Sequence, residues 1–299
     1  MEVLISGSTG LIGRVLVPRL EAAGHEVTRL VRPDTTDDAA GVSWDPSRGE
    51  VDRAALEGFD GVVHLAGESI DQRWTEGAKR RIRESRVRGT RLLAGALAEL
   101  DDPPVVLVSA SGISYYGDRG ATPLTEAADP GDLFLSEVCV EWERESRIAT
   151  ENGVRVVNLR TGVVLTTEGG ALSRMLLPFK LGVGGRLGSG EQYMSWVTRE
   201  DVVGVVEHLL DSPDVDGPVN VCSPNPVTNR TFTNTLGDVL GRPTVFVVPE
   251  PAIRLAFGQM GEELLLASVR ARPSKLDASG YQWAYPELES ALDHVLETE

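Results

Sequence analysis

Three glycines at fixed spacing carry the first chemical signal in this chain. In SGSTGLIG, residues 6–13, Gly7, Gly10 and Gly13 follow the pattern G-x-x-G-x-x-G, directly after the apolar run Val3-Leu4-Ile5 and directly before a segment of helical periodicity. Glycines there allow a tight turn and let backbone N–H groups at a helix start approach a pyrophosphate, whose charge the helix dipole favours. The glycines alone would fit a structural turn equally well. The strand-turn-helix context is what points to a dinucleotide, with Ser8, Thr9, Leu11 and Ile12 completing the loop.

The end of the second strand selects among dinucleotides. An acid there accepts a ribose 2′-OH, whereas an arginine pairs with a 2′-phosphate. The chain reads VTRLVRPD, with Arg32 nineteen residues past Gly13 and next to Val31. Strand alternation puts Arg29 on the other face, and Asp34 begins the turn PDTTDD. The expected cofactor is therefore NADP(H). Two later stretches fit the same ligand. HLAGE, residues 64–68, ends a strand where Leu65, Ala66 and Gly67 can pass close to a ribose, with His64 read as strand-end packing. VSASG, residues 108–112, ends another and points Ser109, Ala110 and Ser111 toward the nicotinamide end.

These residues need a scaffold, and the apolar pattern supplies one. Strand-length runs at Val3–Ile5, Val27–Val31, Val62–Leu65, Val105–Val108 and Val154–Leu159 alternate with helix-period segments at 11–23, 76–100 and 133–149. Such alternation predicts an α/β fold, a Rossmann-type doubly wound parallel sheet. After Leu165 the texture turns glycine-rich. Helices are then expected at 199–210, 229–240, 252–268 and 287–296, and strands at 219–221 and 245–248. The expected organisation is a dinucleotide-binding domain over 1–165, joined by a returning segment 195–222, and a smaller α/β substrate cap over 166–299.

Composition narrows the function classes. The 299 residues carry 45 Asp and Glu against 29 Lys and Arg, a net charge of −16. That excludes a duplex nucleic-acid binder, which neutralises phosphates with basic side chains. Without a signal-peptide pattern or an apolar run of membrane length, the expectation is a cytoplasmic protein acting on a small molecule, with no membrane partner. Cys139 and Cys222 are far apart and outside any metal spacing, so no metal site and no disulfide framework is expected. Whether it is a monomer or a homodimer stays open.

The motifs resemble the extended short-chain dehydrogenase/reductase superfamily, also described as the NAD-dependent epimerase/dehydratase superfamily. SGSTGLIG, HLAGESI, Arg73-Trp74, Ser85-Arg86, YYG at 115–117, FLSEVCVEWE, LRTGVVL, the long stretch from Gly169 to Trp196, NRTF and the tail LLLASVRARPSKLDASGYQWAYPEL are similar to an atypical, epimerase-like branch with a C-terminal domain of unknown function. The resemblance covers nearly the whole chain. It implies bound NADP(H), contacts at Gly7 to Gly13, Val31-Arg32, Leu65-Ala66 and Arg86, and an oxidoreductase or epimerase-like reaction on an unknown small polar substrate. Val87 and Thr90 keep the branch's pattern after Ser85-Arg86.

One expected element is missing. Ordinary members of the superfamily use a Tyr to move the proton at the substrate oxygen, a Lys four residues on to lower its pKa, and a Ser to share that oxygen. Here FLSEVCVEWE places Phe134 or Leu135 at the first position and Val138 or Cys139 at the second, while Ser111 supplies the serine. Replacement acids are sought nearby. Glu137 would serve if burial raised its pKa, against the reading of a solvated helix glutamate. Tyr116 or Tyr115 would serve if it faced the nicotinamide, against the reading of a packed aromatic. Cys139 is a thiol that burial would keep inert. Trp74, Arg73, Trp196 and Gln192 are candidates for the pocket wall, and Asp201 reads as a helix-start residue. The alternative function is a non-catalytic NADP(H)-binding redox sensor.

Lysine makes up three of the 29 basic residues, and the acid excess is spread along the chain, as on a surface adapted to high salt. On that reading the far-ultraviolet helical signal falls on transfer from molar to dilute potassium chloride. An ordinary acidic protein keeps it.

Overall fold

The computed structural model describes residues 1–33 and 41–298; Asp34 and most of the turn PDTTDD lie outside them. Val3, Leu4 and Ile5 form β1 (Glu2–Ser6), a central strand of an eight-stranded sheet. On one side of it the chain builds β2 (Glu26–Val31), β3 (Gly41–Asp45) and β4 (Glu50–Val51). It then crosses to the other side with β5 (Gly61–His64) and β6 (Val106–Gly112). After the short β7 (Pro123–Leu124) it adds β8 (Arg155–Thr161). The strands β9 (Val163–Leu165), β10 (Gly185–Leu187), β11 (Tyr193–Met194) and β12 (Trp196–Thr198) intervene before β13 (Gly217–Val221) closes the sheet. The order is β13-β8-β6-β5-β1-β2-β3-β4, parallel throughout except for the β3–β4 hairpin. The direction of winding reverses between β1 and β5, and in such sheets ligands collect at the carboxyl ends beside that point.

Alternation divides the sheet's side chains between two cores. Val3 and Ile5 pack with Leu16, Val17 and Leu20 of α1 (Gly13–Ala22), while Leu4, Val62 and Leu107 pack with Leu93, Ala94 and Leu97 of α2 (Glu76–Leu97). Each fully buried aliphatic side chain contributes about 1.5–3 kcal/mol. α3 (Phe134–Ser146) lies beside α2. A third core surrounds Trp196 with residues of α4 (Gly170–Lys180), α6 (Asn229–Leu240) and α10 (Leu288–Thr298), and α5 (Arg199–Asp211) joins the α1 side of the sheet. Among the described residues β14 (Val227–Thr228), β15 (Phe246–Val248) and β16 (Arg270–Ala271) make two-stranded pieces with β11, β10 and β7.

Two expectations change. The strand β3 was not expected, because only Val42 and Trp44 of its five residues turn inward and Asp45 ends it. The single helix expected over 252–268 is broken instead into α7 (Glu250–Phe257), α8 (Gln259–Gly261) and a π-helical turn at Glu262–Leu266, with Gly258 at φ +58° making the break. The short α9 (Ser274–Ala278) follows.

Asp201 does more than begin α5. Thr198 caps the helix by accepting from the Asp201 backbone N–H, and the buried Asp201 carboxylate accepts from Thr198 Oγ1 at 2.9 Å, Ala284 N at 2.7 Å and Tyr285 N at 3.1 Å. The Tyr281 hydroxyl stands 3.3 Å from it, and burial with Asp201 beside it raises the phenol's pKa. One carboxylate therefore ties the C-terminal tail to the sheet domain. Asp201→Ala strands two backbone N–H groups and is expected to cost roughly 2–4 kcal/mol, read as a lower denaturant midpoint together with faster proteolysis near Tyr281.

Candidate active site

The turn between β1 and α1 is built by backbone meeting backbone. Gly7 stands at φ +71°, and a Cβ there would lie 2.8 Å from the Leu65 carbonyl carbon; a Cβ at Gly13 would overlap the Gly7 carbonyl oxygen. Gly10 N donates to Gly7 O at 3.0 Å and Arg14 N to Gly10 O at 3.1 Å. Thr9 and Gly10 are exposed, Ser8 is buried, and Leu11 and Ile12 are half-buried. The start of α1 has no side-chain cap, whereas Thr75, Thr198 and Thr228 cap α2, α5 and α6. An open helix start beside a turn with no room for side chains fits a pyrophosphate. The loop after β9 closes over this turn: Arg14 donates to Glu168 O at 3.0 Å and pairs with its carboxylate at 2.8 Å, and Leu11 lies against Gly169 and Gly170.

Around the turn, Arg32 is exposed just past the end of β2 and Val31 is half-buried within it. The residues after β5 lie across the switch point. Leu65 and Ala66 are half-buried, Ala66 N donates to Ser6 Oγ, and the exposed Gly67 rests on the guanidinium of Arg86 from α2. That guanidinium donates to Glu68 O at 2.8 Å and Ile82 O at 3.2 Å and stacks 5.1 Å from the Trp142 ring. Burial lowers its pKa. His64 is fully buried between Ser6 Oγ at 2.6 Å and Thr90 Oγ1 at 3.0 Å, in keeping with a packing histidine.

At the end of β6, Ser109 is fully buried and its Oγ has no hydrogen-bond partner among the described residues. Ser111 donates to Glu143 Oε1 at 2.8 Å. Glu143, on α3, also holds Arg160 of β8 through two bonds of 2.8 Å, an ion pair buried on both sides. Burial alone would pull the Arg160 pKa down, but the carboxylate against it reverses this and keeps the guanidinium charged. Arg160 donates to the Tyr116 hydroxyl at 3.0 Å and covers the Tyr115 ring at 3.4 Å, and Tyr116 donates to Asn220 Oδ1 at 2.7 Å. Glu143, Arg160 and Asn220 were missed in the sequence. The signal present was a lone arginine in the otherwise uncharged core of the buried strand VVNLRT.

The proton-donor candidates separate sharply. Glu137 is exposed and paired with Arg83 at 2.7 Å, the setting of a solvated helix glutamate. The Tyr116 hydroxyl is enclosed by Arg160 and Asn220, the setting of a packed aromatic, with burial pushing its pKa to about 12 against Arg160's opposing charge. Burial, with the Glu143 charge behind it, lifts the Cys139 thiol to about 11. Ser111 lies beside that thiol and Glu143, so the structure gathers Ser111, Cys139, Glu143 and Arg160 into one group. Trp74 meets Phe134 edge-on at 5.3 Å, and Arg73 is exposed. Trp196 and Gln192 are core residues, bonded to Asn225 O and to the Leu187 and Leu265 carbonyls.

Comparison with known proteins follows this geometry. Residues 3–222 match the model of the NAD dependent epimerase/dehydratase family, and residues 248–295 match a domain of unknown function, DUF1731. The chain is 42% identical to the epimerase family protein Mb2239 of Mycobacterium bovis, over 98% of this chain and 97% of that one. It is 36% identical to the epimerase family protein SDR39U1 of Homo sapiens over 99% and 100%. A crystal structure of the human protein with NADPH superimposes with a TM-score of 0.90, at 35% identity and full coverage of both chains. The nucleoside-diphosphate sugar epimerase of Corynebacterium glutamicum gives 0.82 at 35% identity, all of this chain matching 59% of that one.

Burial alone takes the His64 pKa from 6.5 to about 4. Between those values the unfolded chain binds more protons than the folded one, so stability is lost as pH falls from about 6.5 toward 4, by roughly 3 kcal/mol in all. Above about 6.5 the ring adds no further pH dependence. Denaturant midpoints of the parent and a His64→Gln variant should differ most above about pH 6.5, where the parent is the more stable, and converge toward pH 4.

Proposed function

The chain belongs to the NAD dependent epimerase/dehydratase family, and from that premise we propose that it binds NADP(H) and acts as an atypical short-chain oxidoreductase, epimerase-like, on a small polar substrate. The observation that carries this reading is the uncapped start of α1 set in a turn that admits no Cβ at Gly7 or Gly13. The N–H groups of the turn Ser8 to Gly13, apart from that of Gly10, which Gly7 O already accepts, receive the pyrophosphate, and Arg32 takes the 2′-phosphate. Val31, Leu65, Ala66 and Gly67 border the adenosine side, with Arg86 beneath them. Ala110 and Ser111 border the nicotinamide side, with Ser109 buried behind them. The human relative crystallised with NADPH supports the choice of cofactor. When bound, NADP(H) supplies a hydride donor or acceptor.

This chain's own residues provide the proton handling. Ser111 has its proton on Glu143 and keeps its oxygen lone pairs for a substrate hydroxyl. Glu143 is held in place by Arg160, so the serine is oriented from behind by an ion pair. With Phe134 or Leu135 in the tyrosine's place and Val138 or Cys139 in the lysine's, Ser111 is the hydroxyl left for this role. The segments 166–194 and 223–299 form the substrate cap, and the protein works in the cytoplasm. A second reading, a non-catalytic NADP(H) sensor, draws on the enclosure of Tyr116 and the exposure of Glu137, which leave no conventional acid. Turnover of NADPH with a carbonyl compound or sugar nucleotide separates the two.

Titration with NADPH and NADH tests the cofactor. The parent is expected to prefer NADPH, and Arg32→Ala to lower that preference about 10- to 100-fold by weakening NADPH alone. Gly13→Ala should abolish uptake of both. A parent that takes up neither coenzyme refutes the proposal.

A further inference from the structure

Exposed apolar side chains gather at one place outside the cofactor groove. Leu177 on α4, Leu181 and Val183 just after it, Val245 just before β15, and Phe246 and Val247 within β15 all face solvent, Val245 to 77% and Leu181 to 69%. They adjoin one another. Leu177 and Leu181 are one helical turn apart, Val183 N donates to Pro178 O, Gly182 lies against Pro243, and Gly185 pairs with Phe246. Each of the six is at least 44% exposed, and apolar side chains gathered in this way, instead of scattered singly, mark an interaction surface.

The backbone there is unfinished as well. Among the described residues β15 is hydrogen-bonded to a strand on one side only, β10. Its other edge is a template for another strand. Neither 177–187 nor 242–248 contains an Asp or Glu, in a chain of net charge −16. Two copies of so acidic a protein repel least where no carboxylate lies.

We propose that the chain forms a symmetric dimer in which β15 pairs antiparallel with β15 of a second copy. A strand paired with its own copy is self-complementary about a two-fold axis, which closes the assembly at two. Pairing centred on Phe246 sets the Arg242 end of each strand beside the Glu250 end of the other, two opposite charges at each rim. In the single chain the Glu250 carboxylate is 3.5 Å from Arg254. A hollow of about 210 Å³ bordered by Arg186, Arg230, Asn234 and residues 244–247 lies against the same strand and gives a second copy's side chains room. Edge pairing and the covering of Leu181 and Val245 thus satisfy the backbone and the apolar patch in one contact.

Sedimentation equilibrium of the full chain tests this. The parent should be a dimer with a dissociation constant of about 10 µM or below. Phe246→Asp and Val245→Lys should each raise it at least ~30-fold with the circular dichroism and melting temperature of the parent retained. Arg242→Glu should weaken the dimer, and Arg242→Glu combined with Glu250→Arg should restore it. Val245, the more exposed of the two positions, decides if Phe246→Asp does not fold. A parent that is monomeric at about 100 µM, or folded strand variants that remain dimeric, overturns the proposal. A charge swap without recovery overturns the register.

Discussion

The site depends on a steric condition: at the carboxyl ends of β1 and β5 two backbones touch with no side chain between them. Gly7 sits within 2.8 Å of the Leu65 carbonyl carbon at the position a Cβ would take, and Gly13 rests on the Gly7 carbonyl. A larger residue at Gly13 would push α1 away from the turn, and one at Gly7 would push the turn away from the residues after β5. The helix start would then move off the switch point, and the residues after β5 would lose their register against the turn. The three-layer packing is what makes the condition affordable, because Val3 and Ile5 below and Leu16, Val17 and Leu20 alongside are buried tightly enough to hold the strand and helix at that distance.

Beneath the carboxyl ends lies a polar layer, and its chemistry follows from burial. Burial disfavours the charged form of His64, and Ser6 and Thr90 satisfy both ring nitrogens without offering a charge to oppose it. Ser146 donates to Asn158 at 2.7 Å one strand over. Arg160 is kept charged by the Glu143 carboxylate against it, and removing either partner would break a buried ion pair, a loss of roughly 3–5 kcal/mol. The pair therefore fixes more than itself. Its spare contacts go to Ser111, Tyr116 and the Glu126 carbonyl, so β6, the turn after it, and α3 are indexed to one guanidinium.

What the sequence disclosed was what is local in sequence. The glycine spacing, the strand runs at Val3, Val27 and Val62 and the helix over 229–240 depend on neighbours a few residues away, and they could be read directly. Glu137 and Tyr116 could not, because their environments come from elsewhere: Arg83, 54 residues distant, draws Glu137 to the surface, and Asn220, 104 residues distant, encloses Tyr116. Glu143 was hidden for the same reason. Its partner Ser111 is 32 residues earlier and Arg160 is 17 later, and helix periodicity says which face Glu143 lies on without saying what meets it. The break at Gly258 escaped because a single glycine interrupts apolar periodicity without erasing it.

The C-terminal region closes this logic by acting on the same helix. Glu263, in the π-helical turn, accepts from Phe134 N and Leu135 N at 3.1 Å each and is steadied by Gln259, so the start of α3 is capped by a carboxylate 129 residues away from Phe134. The favourable field at that helix end is already used. The start of α1 has no such cap. The two helices therefore differ in provision at their amino ends, one filled from within by Glu263 and one left without a side-chain cap. Because α3 also carries Glu143, the residue that fixes the entry of that helix helps to fix where Ser111 sends its proton.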